Sequence, residues 1–163
     1  MNTNSEQWVM AAYMVETAHG YLKAAESLWS QNFSVSVVNA ALSVEIILKS
    51  FNARVSANSG LLNEKYNFND SALPKGANKH DLIALFNALP ADVKRQFESN
   101  YTIDILEAYR YTFVKDRYMY EPNARGGATG ALLGVADTFI KKTVALYKQR
   151  GCSDRWIQDY PNV

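Results

Sequence analysis

The sequence predicts an all-α protein, an antiparallel up-and-down bundle of about five helices joined mostly by short connections. Three observations carry that expectation. Apolar residues recur at steps of three and four along the first segment. A second segment is apolar on nearly every side, over too many residues for a strand. The prolines fall between such segments rather than inside them. At 163 residues the chain fits one domain with a sizeable core. The bundle is expected over residues 1–151, with residues 152–163 as a tail packed on it or extending from it.

The first helix is expected from about Ser5 to Gln31. Trp8, Ala11, Val15, Ala18, Leu22, Ala25 and Trp29 fall on one stripe, and its alanines allow close approach of another helix. Asn32 to Ser34 reads as a turn. The second helix is expected from about Val35 to Val55 and, being apolar nearly all round, should be the central one. From Ser56 to Lys79 the pattern dissolves into Asn, Ser, Gly and Pro, a long loop with Tyr66 and Phe68 as anchors. Asp81 is placed to cap a third helix, Leu82 to Leu89. Pro90 ends it and opens a further helical stretch from Ala91 through Phe97. A fourth long helix is expected over about Thr102 to Tyr118, with Leu106, Arg110, Phe113 and Arg117 on one face, broken by Glu121-Pro122-Asn123. Ala124 to Gly130 is a Gly-rich connection. The last helix runs from about Ala128 to Gln149 with Gly151 as its stop.

The net charge of +1 and the charged fraction of 20% direct no strong field at nucleic acid or membrane. One cysteine, Cys152, excludes an intrachain disulfide and a multi-thiolate metal site. With no signal peptide and no apolar run near the roughly 18 residues that span a bilayer, a cytoplasmic location with no membrane contact is the expectation. Two histidines do not supply a metal centre or a nucleophilic triad, and His19 beside the alanine seam reads as a core-edge residue. No cofactor is expected.

Some polar residues stand out. Glu45 and Lys49 are the only charges in the apolar second helix, four apart with Glu first. They form either a structural ion pair or a polar pair facing a cleft, since a buried charge often marks a site. His80 either packs beside the helix that Asp81 caps or serves as a base or phosphate contact. Arg117 lies among Tyr118, Tyr120 and Glu121; its fork suits phosphate and the tyrosines suit bases. The other reading is a structural cluster in which Arg117 pairs with Glu121 or Glu45. Arg110, seven residues earlier, extends either a patch or a salt-bridge network. Arg125 to Gly130 precedes a helix and exposes backbone amides, but it is not a P-loop and reads as a turn.

Three strings in order, Glu45-Ile46-Ile47-Leu48-Lys49, Lys79-His80-Asp81-Leu82 and Arg117-Tyr118-Met119-Tyr120-Glu121, resemble the HEPN superfamily of small helical bundles. The resemblance spans the chain from first helix to last. It implies a homodimer and, in nuclease members, metal-independent RNA cleavage by Arg followed four to six residues later by His. This chain departs from that pattern. Tyr-Met-Tyr-Glu-Pro-Asn-Ala-Arg follows Arg117, and no histidine lies beyond His80. The expected protein is therefore a non-catalytic nucleotide-, RNA- or protein-binding module, of the kind associated with bacterial stress or defence systems. Arg117, Tyr118, Lys49 and His80 would line its cleft. One alternative is an atypical metal-independent ribonuclease using Arg117 with Tyr120, Glu121 or His80. The other is a protein-interaction or dimerisation module built on the aromatic segment Tyr101 to Tyr120, because tyrosine and arginine are enriched in interfaces.

Overall fold

The computed structural model describes residues 8–124 and 129–163. Helices α1 (Ala12–Leu28) and α2 (Phe33–Ser50) form an antiparallel hairpin. The α1 stripe buries Ala11, Val15, Ala18, Leu22 and Ala25 against Val37, Ala40, Ala41 and Val44 of α2. The small residues bring the backbones close enough for two buried hydroxyls of α2 to reach carbonyls of α1. Ser36 Oγ donates to Ala25 O at 2.6 Å and Ser43 Oγ to Ala18 O at 2.7 Å. Asn32 caps α2 through Val35 N–H.

A two-stranded antiparallel hairpin follows, β1 (Ala53–Ala57) and β2 (Lys65–Phe68), pairing Ala53 with Phe68 and shifting register after Val55. Short helices α3 (Leu82–Asn87), α4 (Ala91–Phe97), α5 (Asn100–Ala108) and α6 (Thr112–Lys115) lead to a 3₁₀ turn at Asp116–Tyr118. Helix α7 (Ala131–Gln149) packs on both α1 and α2, and α8 (Arg155–Asp159) closes the described chain. The core centres on Phe51, Phe86, Phe97, Phe139 and Tyr147. Tyr147 Oη accepts the Ala11 N–H at 3.0 Å, and burial pushes its phenol up to about 12.

The protein is thus mostly helical with a small sheet, and several expected boundaries are corrected. The second helix ends at Ser50 instead of Val55, and the last of that apolar run becomes β1. The expected loop from Ser56 contains β2, whose side chains alternate between exposed and half-buried. The first helix begins at Ala12, not near Ser5, which lies outside the described residues, and it ends at Leu28. The third helix stops at Asn87, before Leu89.

The fourth long helix does not exist as one piece. It breaks after Ala108, where Tyr109 turns inward so that its Oη accepts Thr129 N–H at 2.8 Å. Arg110 O in the same break accepts Leu82 N–H at 3.2 Å. Ala128, the expected start of the last helix, lies outside the described residues, and α7 begins at Ala131. The absence of a spanning-length apolar run is also corrected. By length and composition α2 is apolar enough to cross a membrane, but more than half of it is buried here as the core helix.

The tail folds back on the bundle. Ile157 is fully buried, and Lys148 Nζ donates to Tyr160 O at 2.9 Å. His19 of α1 meets Trp156 at 5.3 Å and Tyr160 at 5.8 Å, both edge-on. Burial, then Lys23, hold the His19 imidazole below its ordinary value. A histidine depressed in the fold binds fewer protons than in the unfolded chain, so stability is lost as pH falls through the unfolded value. Acidification from pH 8 to 5 is therefore expected to lower the hydrogen-exchange protection factors of residues 152–160, taken relative to the intrinsic exchange rate at each pH. His19→Phe should flatten that dependence.

The alanine seam is expected to be intolerant of bulk. Ala18→Leu should cost about 1–3 kcal/mol by overpacking, read as a lower Tm in thermal unfolding. An unchanged Tm would mean that the two helices are not held at this separation.

Candidate functional site

The polar residues foreseen in the sequence gather where α2, the α3 start and α6 meet. Glu45 is 3% exposed on α2. One of its oxygens, Oε1, receives Lys49 Nζ at 2.6 Å and His80 Nδ1 at 2.9 Å. Its other oxygen, Oε2, has no hydrogen-bond partner among the described residues. The intrahelical pair is therefore real, and it anchors His80 as well. The His80 ring lies 5.0 Å from the Phe113 ring. The Arg117 guanidinium carbon sits 5.1 Å from Phe113 and 5.4 Å from Tyr118. Imidazole, phenyl, guanidinium and phenol thus form one chain of contacts reaching from the buried carboxylate to the surface.

Asp81 organises the neighbouring corner. Its Oδ1 accepts the N–H groups of Ile83 at 3.0 Å and Ala84 at 3.1 Å, the capping expected of it. Arg110 forks onto the same carboxylate, Nε to Oδ1 and Nη2 to Oδ2, both at 2.8 Å. Burial opposes ionisation of Asp81, but the Arg110 hydrogen bonds and the helix N–H groups outweigh it and hold the carboxyl below its usual range. The same contact pushes the Arg110 guanidinium up. Arg110 is therefore committed to a structural fork.

Two further expectations are corrected. Arg110 and Arg117 do not share a helix face, because the helix breaks between them. Arg117 pairs with neither Glu121 nor Glu45 and makes no ion pair with a described residue; its contacts are the two rings.

Beside this chain of contacts opens a cleft of about 670 Å³ lined by Arg110, Tyr111, Lys115, Asp116, Tyr118 and Glu121. Lys115, which the sequence reading missed, lies over the Tyr111 ring at 4.7 Å and has no ion pair among the described residues. A signal for it existed, since it stands two residues before Arg117 in the same aromatic run. Phe113 was placed on a helix face but not recognised as the ring joining His80 to Arg117.

A second groove, about 450 Å³ and mainly apolar, lies across Arg117 between the α2 start and Met119-Tyr120. Tyr120 is 82% exposed and meets Tyr118 edge-on at 6.1 Å. Arg125 to Ala128 of the Gly-rich segment lie outside the described residues. Gly130 faces the Trp29 ring, 3.6 Å from where a Cβ would stand. Among the described residues no group of three or more His, Cys, Asp or Glu is placed to hold a metal.

No family model, curated protein or solved structure matches the chain.

The Asp81 corner gives a pH-linked expectation. Asp81→Asn removes the charged partner of Arg110 and weakens the α3 cap, at a cost of roughly 2–4 kcal/mol in denaturant unfolding at pH 7. A carboxyl depressed in the fold stabilises above the unfolded pKa, and that contribution is lost as pH falls through the folded value. The gap between the two proteins should therefore close in acid.

Proposed function

We propose that this protein is a non-catalytic, HEPN-like module that binds a phosphate-bearing ligand, a nucleotide or RNA, at Arg117, which lines the groove at the α2 start and stands next to the cleft beside α6. The observation that carries the reading is Arg117. Its guanidinium is exposed, makes no ion pair with a described residue, and is held against the Phe113 and Tyr118 rings. Ring contacts orient a guanidinium without consuming its donors, which leaves the fork for phosphate oxygens. Lys115 adds a second exposed cation, and Tyr111 and Tyr118 supply faces on which a base stacks. Asp116 and Glu121 on the same cleft limit its positive potential, which favours a short ligand over a long polyanion. The setting implied by the resemblance is a bacterial stress or defence system.

A second reading, an atypical metal-independent ribonuclease, is favoured by one contact. His80 Nδ1 is held by the buried Glu45 carboxylate, which orients a histidine and leaves Nε2 as the nitrogen for proton transfer. Binding is the stronger reading, because among the described residues no second proton donor is bonded to the imidazole and Phe113 lies beside it.

One experiment separates the two. Labelled short RNAs and nucleotides are incubated with the protein, Arg117→Ala and His80→Ala in EDTA at low salt. Binding without cleavage, weakened about tenfold or more in Arg117→Ala and little changed in His80→Ala, is the expected outcome. Lys115→Ala should reduce the slope of log affinity against log salt by about one. Cleavage lost in both Arg117→Ala and His80→Ala would replace the binding reading with the nuclease one. Neither binding nor cleavage would leave the third alternative, a protein-interaction module.

A further inference from the structure

A nucleotide held at Arg117 meets two unlike walls. Arg117 itself lines the apolar groove at the start of α2, whereas Glu107, Asp116 and Glu121 stand on the cleft beside α6. A base is a flat, uncharged ring, and apolar side chains pack on it better than carboxylates do. The groove supplies Val35, Val38 and Met119 for this, and the Tyr120 ring, 82% exposed, completes its wall. A volume of about 450 Å³ lies toward the small end of ligand pockets and suits one nucleotide. Asp116 lines the groove as well, but its Oδ1 is buried within the protein.

One polar side chain on the groove wall has its direction fixed. Asn32 caps α2, and its Oδ1 accepts the Val35 N–H at 3.2 Å. A backbone N–H requires the oxygen of the amide, so the cap also decides which way the amide is turned. The Nδ2 group is bonded to no described residue and is what Asn32 leaves for a ligand. An unconstrained asparagine offers a donor and an acceptor, and turns over to suit either. Asn32 offers the donor alone. Ser34, beside it on the same wall, rotates its hydroxyl to donate or accept and so does not discriminate.

We propose that the groove selects a base with a keto group facing Asn32, uracil over cytosine and hypoxanthine over adenine, while Arg117 holds the phosphate. This rests on the ligand reading above and adds the identity of the base to it. A keto oxygen accepts from Nδ2. An exocyclic amine in the same place sets two donors against each other and leaves one without a partner. Asn32 is thus a specificity-determining residue, whereas Arg117 holds any nucleotide whatever its base. In a longer RNA, Tyr111 and Tyr118 on the cleft take the neighbouring base.

The test is equilibrium titration of the full chain with UMP and CMP, which share a ring shape, and with IMP and AMP. UMP should bind about five- to tenfold more tightly than CMP, and IMP should exceed AMP in the same sense. Asn32→Asp keeps a good helix cap but turns the groove-facing donor into an acceptor, so the UMP-to-CMP ratio should reverse. Asn32→Ser also keeps a cap but is too short to reach the base, and its ratio should fall to about one. The ratio is read instead of either affinity, because an added carboxylate weakens both nucleotides alike through their phosphates. Helical circular dichroism should be the same in all three proteins. Equal binding of UMP and CMP, lost in Arg117→Ala, would overturn the selection and leave the ligand reading standing. A UMP preference that Asn32→Asp does not alter would also overturn it. Binding of none of the four would overturn it too, and Arg117-dependent RNA binding then decides the ligand reading separately.

Discussion

The close antiparallel approach of α1 and α2 is the constraint on which the remaining structure depends. Two serine hydroxyls of α2 end on main-chain oxygens of α1, and they reach them only because alanines line the seam. That separation sets the position of α2, and α2 in turn positions nearly everything of functional interest. The β-hairpin leaves from its C-terminal end, α6 and the 3₁₀ turn lean on its flank, and its Glu45 reaches across to His80. A bulkier seam would shift all of these together, since a packed interior transmits displacement instead of absorbing it.

Much of this was legible in the sequence, for physical reasons that differ by element. The α1 stripe and the α2 apolar run announce themselves because burial imposes the helical period on a long segment. Asp81 as a cap and Glu45 with Lys49 as a pair are local, set by spacings of three or four residues. The hairpin and the broken fourth helix were not legible. In Tyr109-Arg110-Tyr111 the helical propensity is ordinary, and the break is decided by partners far along the chain, Thr129, Leu82 and Asp81. Tertiary hydrogen bonding overrides local preference there. The β1 segment fails for a similar reason, because an apolar run that continues a helix carries no mark of where the helix must stop.

The site was foreseen in its membership more than in its arrangement. Glu45, Lys49, His80, Arg117 and Tyr118 were named from residue type, and the fold connects them through Phe113. The sequence leaves Arg110 extending either a patch or a salt-bridge network, and its guanidinium is taken up by Asp81. Free cations are distinguished from committed ones only by who sits opposite them, and spacing along the chain does not carry that information.

The bond from Ala11 N–H to Tyr147 Oη joins residues 136 positions apart. It closes the bundle at the end where the first helix begins, and it has consequences for synthesis. During translation α1 and α2 pair through contacts close in sequence, but the Ala11 N–H does not gain its Tyr147 partner until most of α7 has left the ribosome. The nascent bundle therefore waits with its first turn unlatched and with apolar faces of both helices open to solvent. A helix made long after the first is the one that fastens it.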